Sequence, residues 1–152
     1  MQILVDADAC PVKQIIVRLA KQYKIPVTML MDTSHVLNDG YSTIITVDKE
    51  ADSVDFKLMG ILKREDIVVT QDYGFAAMVI GKGAKAVNQN GLVFTNENMD
   101  KLLMERHISA KVRRGVGRTK GVPKRTKDDD VQFGAVFTKM LEESTYRIQN
   151  LI

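Results

Sequence analysis

The 152-residue sequence contains no tryptophan, one cysteine and three prolines. A lone Cys10 excludes an intramolecular disulfide and any cysteine-based zinc cluster, which fits a reducing cytoplasm. No run of about 18 apolar residues occurs, so a membrane-spanning helix is not expected. The opening MQILVDADACP has no basic region ahead of a long apolar stretch, unlike a secretory signal, and a cytoplasmic protein is expected. Walker A and GxGxxG patterns are missing, and Gly81-Lys82-Gly83 is too short to cradle a nucleotide. What the chain does have is 45% hydrophobic residues, enough for one substantial core, with little room for a second. One domain over residues 1–152 is the expectation.

The net charge of +3 is unevenly distributed. Residues 1–100 hold 10 basic and 13 acidic residues, residues 101–127 hold 10 and 1, and residues 128–152 hold 2 and 5. An acidic body with one basic segment, at about 106–127, points to a polyanion partner; a solvated basic loop is the plainer alternative. The cations are Lys111, Arg113, Arg114, Arg118, Lys120, Lys124, Arg125 and Lys127, interleaved with Gly115, Gly117 and Gly121. No aromatic residue interrupts His107 to Val131, so contact with nucleic acid would be electrostatic and salt-sensitive, without a base-stacking platform.

Short apolar runs alternate with helical patterns. Strands are expected at Ile3–Val5, Val27–Met31, Thr43–Val47, Ile67–Thr70, Ala84–Val87 and Leu92–Phe94, the last two flanking an Asn90-Gly91 turn. Helices are expected from Pro11 through Tyr23, from about Asp52 to Lys63, over Tyr73–Ile80, from a cap at Asn96 through Glu105, and from about 128 onward. In the last helix Phe133, Val136, Phe137, Met140 and Leu141 form the inward face. This alternation predicts a mainly parallel α/β sheet covered on both faces by helices.

Ligands of such a sheet bind beyond the carboxyl ends of its strands, where several acids fall. Asp6 ends the first strand and Asp8 lies two residues on; an extended chain would send both side chains from one face. Asp72 follows the strand at Ile67–Thr70 in the same way. Asp52 and Asp55 are about 60° apart around their helix, with Asp55 at the margin of the apolar face. Crowded carboxylates repel, and Mg²⁺ or Mn²⁺ with oxygen ligands is the natural compensation. Such an ion can orient a phosphodiester and lower the pKa of a bound water. Helix capping is the structural alternative for Asp72 and Asp52.

In VDADACPVK (Val5 to Lys13), ADSVD (Ala51 to Asp55), VVTQDYG (Val68 to Gly74), NQNGLVFTNEN (Asn88 to Asn98) and RTKGVPKRT (Arg118 to Thr126), the sequence closely resembles the YaiI/YqxD family of uncharacterised bacterial proteins. The resemblance covers nearly the whole chain. That family is related to PIN-like domains, whose sheet and acidic site belong to metal-dependent nucleases. The resemblance therefore implies a PIN-like three-layer sandwich in which Asp6, Asp8, Asp52, Asp55 and Asp72 correspond to the acidic cluster. Asp6, Asp8, Asp55 and Asp72 become the expected catalytic residues, and nucleic acid, RNA above DNA, the expected partner.

Other readings stand beside this one. An apolar strand followed by Asp6-Ala7-Asp8 also resembles the start of a haloacid-dehalogenase-type phosphatase, with Asp6 as nucleophile and Asp8 as acid/base. A non-catalytic RNA- or ribosome-associated binding module is the third. Cys10 reads as a buried small residue or a cap, Tyr73 as packing against the sheet, and His107 as the end of a helix.

Overall fold

The computed structural model describes residues 1–32, 38–48, 53–116 and 124–150. The element order is β1 (Ile3–Asp6), α1 (Lys13–Tyr23), β2 (Val27–Asp32), β3 (Thr43–Val47), α2 (Ser53–Ile61) and β4 (Ile67–Val69). It continues with α3 (Tyr73–Gly81), β5 (Lys85–Val87), β6 (Val93–Phe94), α4 (Asn96–Val116) and α5 (Lys127–Asn150). The strands form one sheet in the order β3-β2-β1-β4-β5-β6. Its first five members are parallel, and β6 returns antiparallel to β5. The architecture is a three-layer α/β sandwich, as expected.

Strand side chains alternate between faces, and the two faces have separate cores. Ile3, Val5, Met29, Met31, Ile67 and Val69 pack against α1 and α5 through Ile16, Leu19, Phe133, Phe137 and Leu141. Leu4, Leu30, Val68 and Ala86 pack on the other side against α2 and α3 through Leu58, Phe75, Ala76 and Val79. Helix α2 lies over β1, β2 and β3, whereas α3 lies over β5 and β6. The strand order therefore reverses at the β1–β4 boundary.

Several boundaries differ from the sequence expectation. Helix α1 begins at Lys13 because the chain turns at Asp8 and Ala9, with Ala9 at φ +58°, and Pro11 and Val12 form a second turn ahead of the helix. Helix α4 is not capped by Asn96. Thr95 and Asn98 exchange reciprocal backbone-to-side-chain hydrogen bonds one residue earlier. The helix then runs through Val116 rather than stopping at Glu105, since Leu, Met, Arg and Lys are good helix formers and no glycine intervenes before Gly115. His107 lies inside it, exposed, and does not end it. Thr126 and Asp129 form the same reciprocal box at the start of α5.

The Asn90-Gly91 turn forms where expected. The Asn88 carboxamide oxygen accepts from Asn90 N–H and Leu92 N–H, each at 2.9 Å. Gly91 sits at φ +87°, where a Cβ would lie 3.2 Å from the Gln132 carbonyl of α5. A side chain there is excluded twice, by backbone conformation and by space. Among the described residues no helix is long and apolar enough to cross a membrane.

Phe133 and Phe137 stack at 5.1 Å between ring centroids, fully buried under the sheet. Phe137→Ala is expected to cost about 3–5 kcal/mol in urea unfolding. Val131→Ala, on the exposed side of the same helix, is expected to stay within about 0.5 kcal/mol.

Candidate acidic site at the carboxyl edge of the sheet

The site starts from the alternation along β1. Leu4 points into the core beneath α2 and α3, so Asp6, two residues on, emerges on that same face at the strand's carboxyl end. Thr70 emerges beside it by the same parity with Val68, immediately after β4. Thr70 is 1% exposed, and its hydroxyl donates to Asp6 Oδ2 at 3.1 Å. It also accepts from the Asp72 backbone N–H at 3.1 Å. One buried hydroxyl thus fixes the first acid and the backbone of the last.

Asp72 caps α3: its Oδ1 accepts from Phe75 N–H at 3.1 Å, while the residue as a whole is exposed. Capping and a place at the carboxyl edge coexist here. Asp8 is placed differently from the extended-chain expectation, because the turn at Ala9 swings it toward β2. Its carboxylate accepts from the Asp32 backbone N–H at 3.1 and 3.4 Å. Asp55 lies half-buried in the first turn of α2. Asp52 lies outside the described residues.

Burial raises the Asp6 carboxyl from 3.8 to about 6, with the Thr70 hydroxyl opposing and Asp55, Asp8 and Asp72 each adding repulsion. Four of the five predicted acids therefore share one electrostatic neighbourhood with Asp6 at its centre. Among the described residues, however, no group of three or more His, Cys, Asp or Glu is arranged to hold a metal ion. The sequence reading missed two participants, Asp32 and Thr70. Asp32 repeats the signature of Asp6, an apolar strand ended by an acid, in VTMLMD. Thr70, inside VVTQD, fits the pattern of a last strand residue and carries no charge that marks it as a site residue.

The family described as "Uncharacterized BCR, YaiI/YqxD family" matches residues 4–143. A UPF0178 protein of Ruminiclostridium cellulolyticum is 64% identical over 133 residues, covering 88% of this chain and 87% of its own length. The chain belongs to the YaiI/YqxD family. A UPF0178 protein of Clostridium acetobutylicum is 52% identical over 143 residues, 93% of this chain and 97% of that one. One from Alkaliphilus oremlandii is 48% identical over 149 residues, 98% and 96% of the two chains. No solved structure matches significantly.

The basic segment of this YaiI/YqxD chain divides into distinct parts. Lys111 is exposed on α4, and Arg113 and Arg114 fall in its last turns. Arg118 and Lys120 lie outside the described residues. Lys124 and Lys127 are exposed. Arg125 turns inward: Nε donates to Asp130 Oδ1 at 2.8 Å, Nη1 to Asn90 Oδ1 at 2.7 Å and Nη2 to the Gln89 carbonyl at 2.8 Å. It ties the start of α5 to the β5–β6 turn. Cys10 is buried, and burial pushes its thiol up, which disfavours a reactive thiolate. Tyr73 meets Phe94 edge-to-face at 5.5 Å between centroids.

Two measurements follow from these placements. Because the folded pKa of Asp6 is raised, its ionisation favours the unfolded chain, and the metal-free protein is expected to lose stability as pH rises from about 4 to about 7. This carboxyl accounts for about 2–3 kcal/mol of that loss. Asp6→Asn retains an acceptor for Thr70, so in chelator its urea midpoint should exceed wild type at neutral pH and converge with it near pH 4. A variant weaker at both ends would contradict the placement. Arg125→Gln is expected to cost about 1–3 kcal/mol. Lys124→Gln, on its exposed neighbour, should stay within about 0.5 kcal/mol.

Proposed function

We propose that this chain is a PIN-like, divalent-metal-dependent nuclease that hydrolyses phosphodiesters of RNA or DNA at the carboxyl edge of its sheet. The observation carrying this reading is the repulsive neighbourhood of Asp6, half-buried at the strand-order reversal with Asp55, Asp8 and Asp72 acting on it. A protein that gathers charges of one sign at the ligand-binding edge of a parallel sheet carries a standing cost that a cation relieves.

The donor set suits Mg²⁺ or Mn²⁺, since every member offers carboxylate oxygen and none offers a softer ligand. Mg²⁺ is usually held by one or two carboxylates and keeps several waters, so direct ligation by three acids is not required. Asp6, Asp8, Asp55 and Asp72 would hold the ion, with Asp52 beside them. When bound, the ion supplies charge stabilisation on the phosphodiester oxygens and a water of lowered pKa. Thr70 holds the Asp6 carboxylate in position by donating to Oδ2, and Asp32 N–H does the same for Asp8. The exposed Arg106 and Lys111 of α4, with Arg113 and Arg114 following in sequence, support a polyanion track that reads phosphate rather than base.

The test separates nuclease from the two competing readings. Protein freed of metal by chelation is incubated with single-stranded RNA, single-stranded DNA and a phosphomonoester, with and without Mn²⁺, while metal binding is followed by calorimetry. Mn²⁺-dependent cleavage lost in Asp6→Asn is the expected result, with Thr70→Val reducing metal affinity or rate about 10–100-fold. Hydrolysis of the monoester alone would assign a phosphatase. Retention of intact RNA without cleavage would assign a binding module.

A further inference from the structure

The opposite edge of the sheet carries a second polar concavity. Arg64 and Glu65 precede β4, Gly83 and Lys85 lead into β5, and Ser144 and Arg147 come from the last turns of α5. Together they line a cavity of about 240 Å³ with no apolar side chain. Because β4 and β5 are parallel, their amino ends meet here, a strand's length from the acids at the carboxyl edge. Neither the acidic site nor the basic segment at 106–127 contributes to it.

Three of the six lining residues are cations and one is an acid. Among the described residues, none of Arg64, Lys85 and Arg147 comes within ion-pair distance of a carboxylate. Surface cations ordinarily spread apart or find acids, so three gathered around a concavity with no carboxylate of the described residues in ion-pair reach focus a positive field into it. The floor is also built. Ser144 is 6% exposed and accepts from Lys85 Nζ at 3.5 Å, which leaves its hydroxyl proton to donate. Gly83, at φ +90°, has its missing Cβ position 3.2 Å from Arg64 Nε, so the bare backbone gives the guanidinium room to lie across the loop.

We propose that this cavity binds a phosphate-class oxyanion through Arg64, Lys85, Arg147 and the Ser144 hydroxyl. Arginine forks match tetrahedral oxyanions bidentately, lysine adds a point charge, and the serine hydroxyl donates from the floor. At about 240 Å³ the space is below the range of pockets that enclose a drug-sized molecule. It therefore takes the phosphate group itself and leaves any attached sugar or base outside. The group comes either from free phosphate and small phosphomonoesters or from the phosphorylated end of a nucleic acid.

The full chain in chelator is titrated with inorganic phosphate, and binding is read by calorimetry and by phosphorus NMR line broadening; chelation keeps the acidic site out of the readout. Saturable binding is expected, weakened about tenfold or more in an Arg64→Gln/Arg147→Gln double variant and in Ser144→Ala, and unchanged in Lys139→Gln on the exposed face of α5. Arg64 and Arg147 are exposed, so their replacement leaves the core intact. Absence of saturation, or equal binding by the double variant, overturns the proposal. A 5′-phosphorylated oligoribonucleotide compared with its 5′-hydroxyl counterpart then identifies the source. A preference for the phosphorylated end that the double variant loses assigns a nucleic-acid terminus, and phosphate binding without that preference assigns a free small phosphate.

Discussion

Parallel pairing of β1 with a strand on each side is the constraint on which the rest of the structure depends. Parallel neighbours cannot be joined by a tight turn, so their connections cross over a face, and those that leave β1, β3 and β4 do so as α1, α2 and α3. With β2 and β3 laid to one side and β4 and β5 to the other, α2 and α3 cover different halves of one face. The gap between those halves opens at the carboxyl end of β1. Asp6 is therefore at the reversal for topological reasons, before any side-chain chemistry is considered. The same parallelism collects the amino ends of β4 and β5 at the far edge, so the molecule has an acidic rim and a basic cavity at opposite ends of its strands.

The two faces divide the remaining tasks. The α1 and α5 side is an apolar layer with stacked phenylalanines at its centre. The α2 and α3 side carries the acids at its rim, so the packing that supports them is the cluster of Leu4, Leu58, Val68 and Phe75. Charge is tolerated there because Asp6 is only half-buried and receives a hydroxyl hydrogen bond. The buried Asp66 at the other edge shows the stricter rule for deep burial. It is 2% exposed and accepts from Gln2 N–H, Gln2 Nε2 and Lys63 N–H.

Most of the fold was legible because its signals are local and periodic. Strand positions followed from β-branched runs, with Thr43–Val47 placed to the residue. The helix ends were less legible, since α4 ends where tertiary context allows and its basic residues favour helix as readily as loop. Asp6, Asp8, Asp55 and Asp72 were visible as strand-end and helix-margin acids, and the structure brings them into one field. Asp32 went unnoticed for lack of a second acid nearby in sequence, and Thr70 because a threonine at a strand end carries no charge to flag it. The inward turn of Arg125 was illegible for a different reason. Its partners Asn90 and Gln89 are 35 and 36 residues away, and no local pattern distinguishes an arginine that packs from one that faces solvent.

The turn that carries Asp8 has a further consequence. Ala9 keeps a left-handed backbone that alanine adopts at a cost of about 1 kcal/mol, where glycine would pass freely. The turn is also tethered from three directions, by Asp32 N–H to Asp8, by Gln71 Nε2 to the Ala9 carbonyl and by Lys13 Nζ to the Ala7 carbonyl. A non-glycine residue leaves the unfolded turn fewer conformations to lose, and the tethers hold the folded one in a single arrangement. Any ligand reaching this edge meets a loop already in place, so little of its binding energy is diverted into ordering the chain.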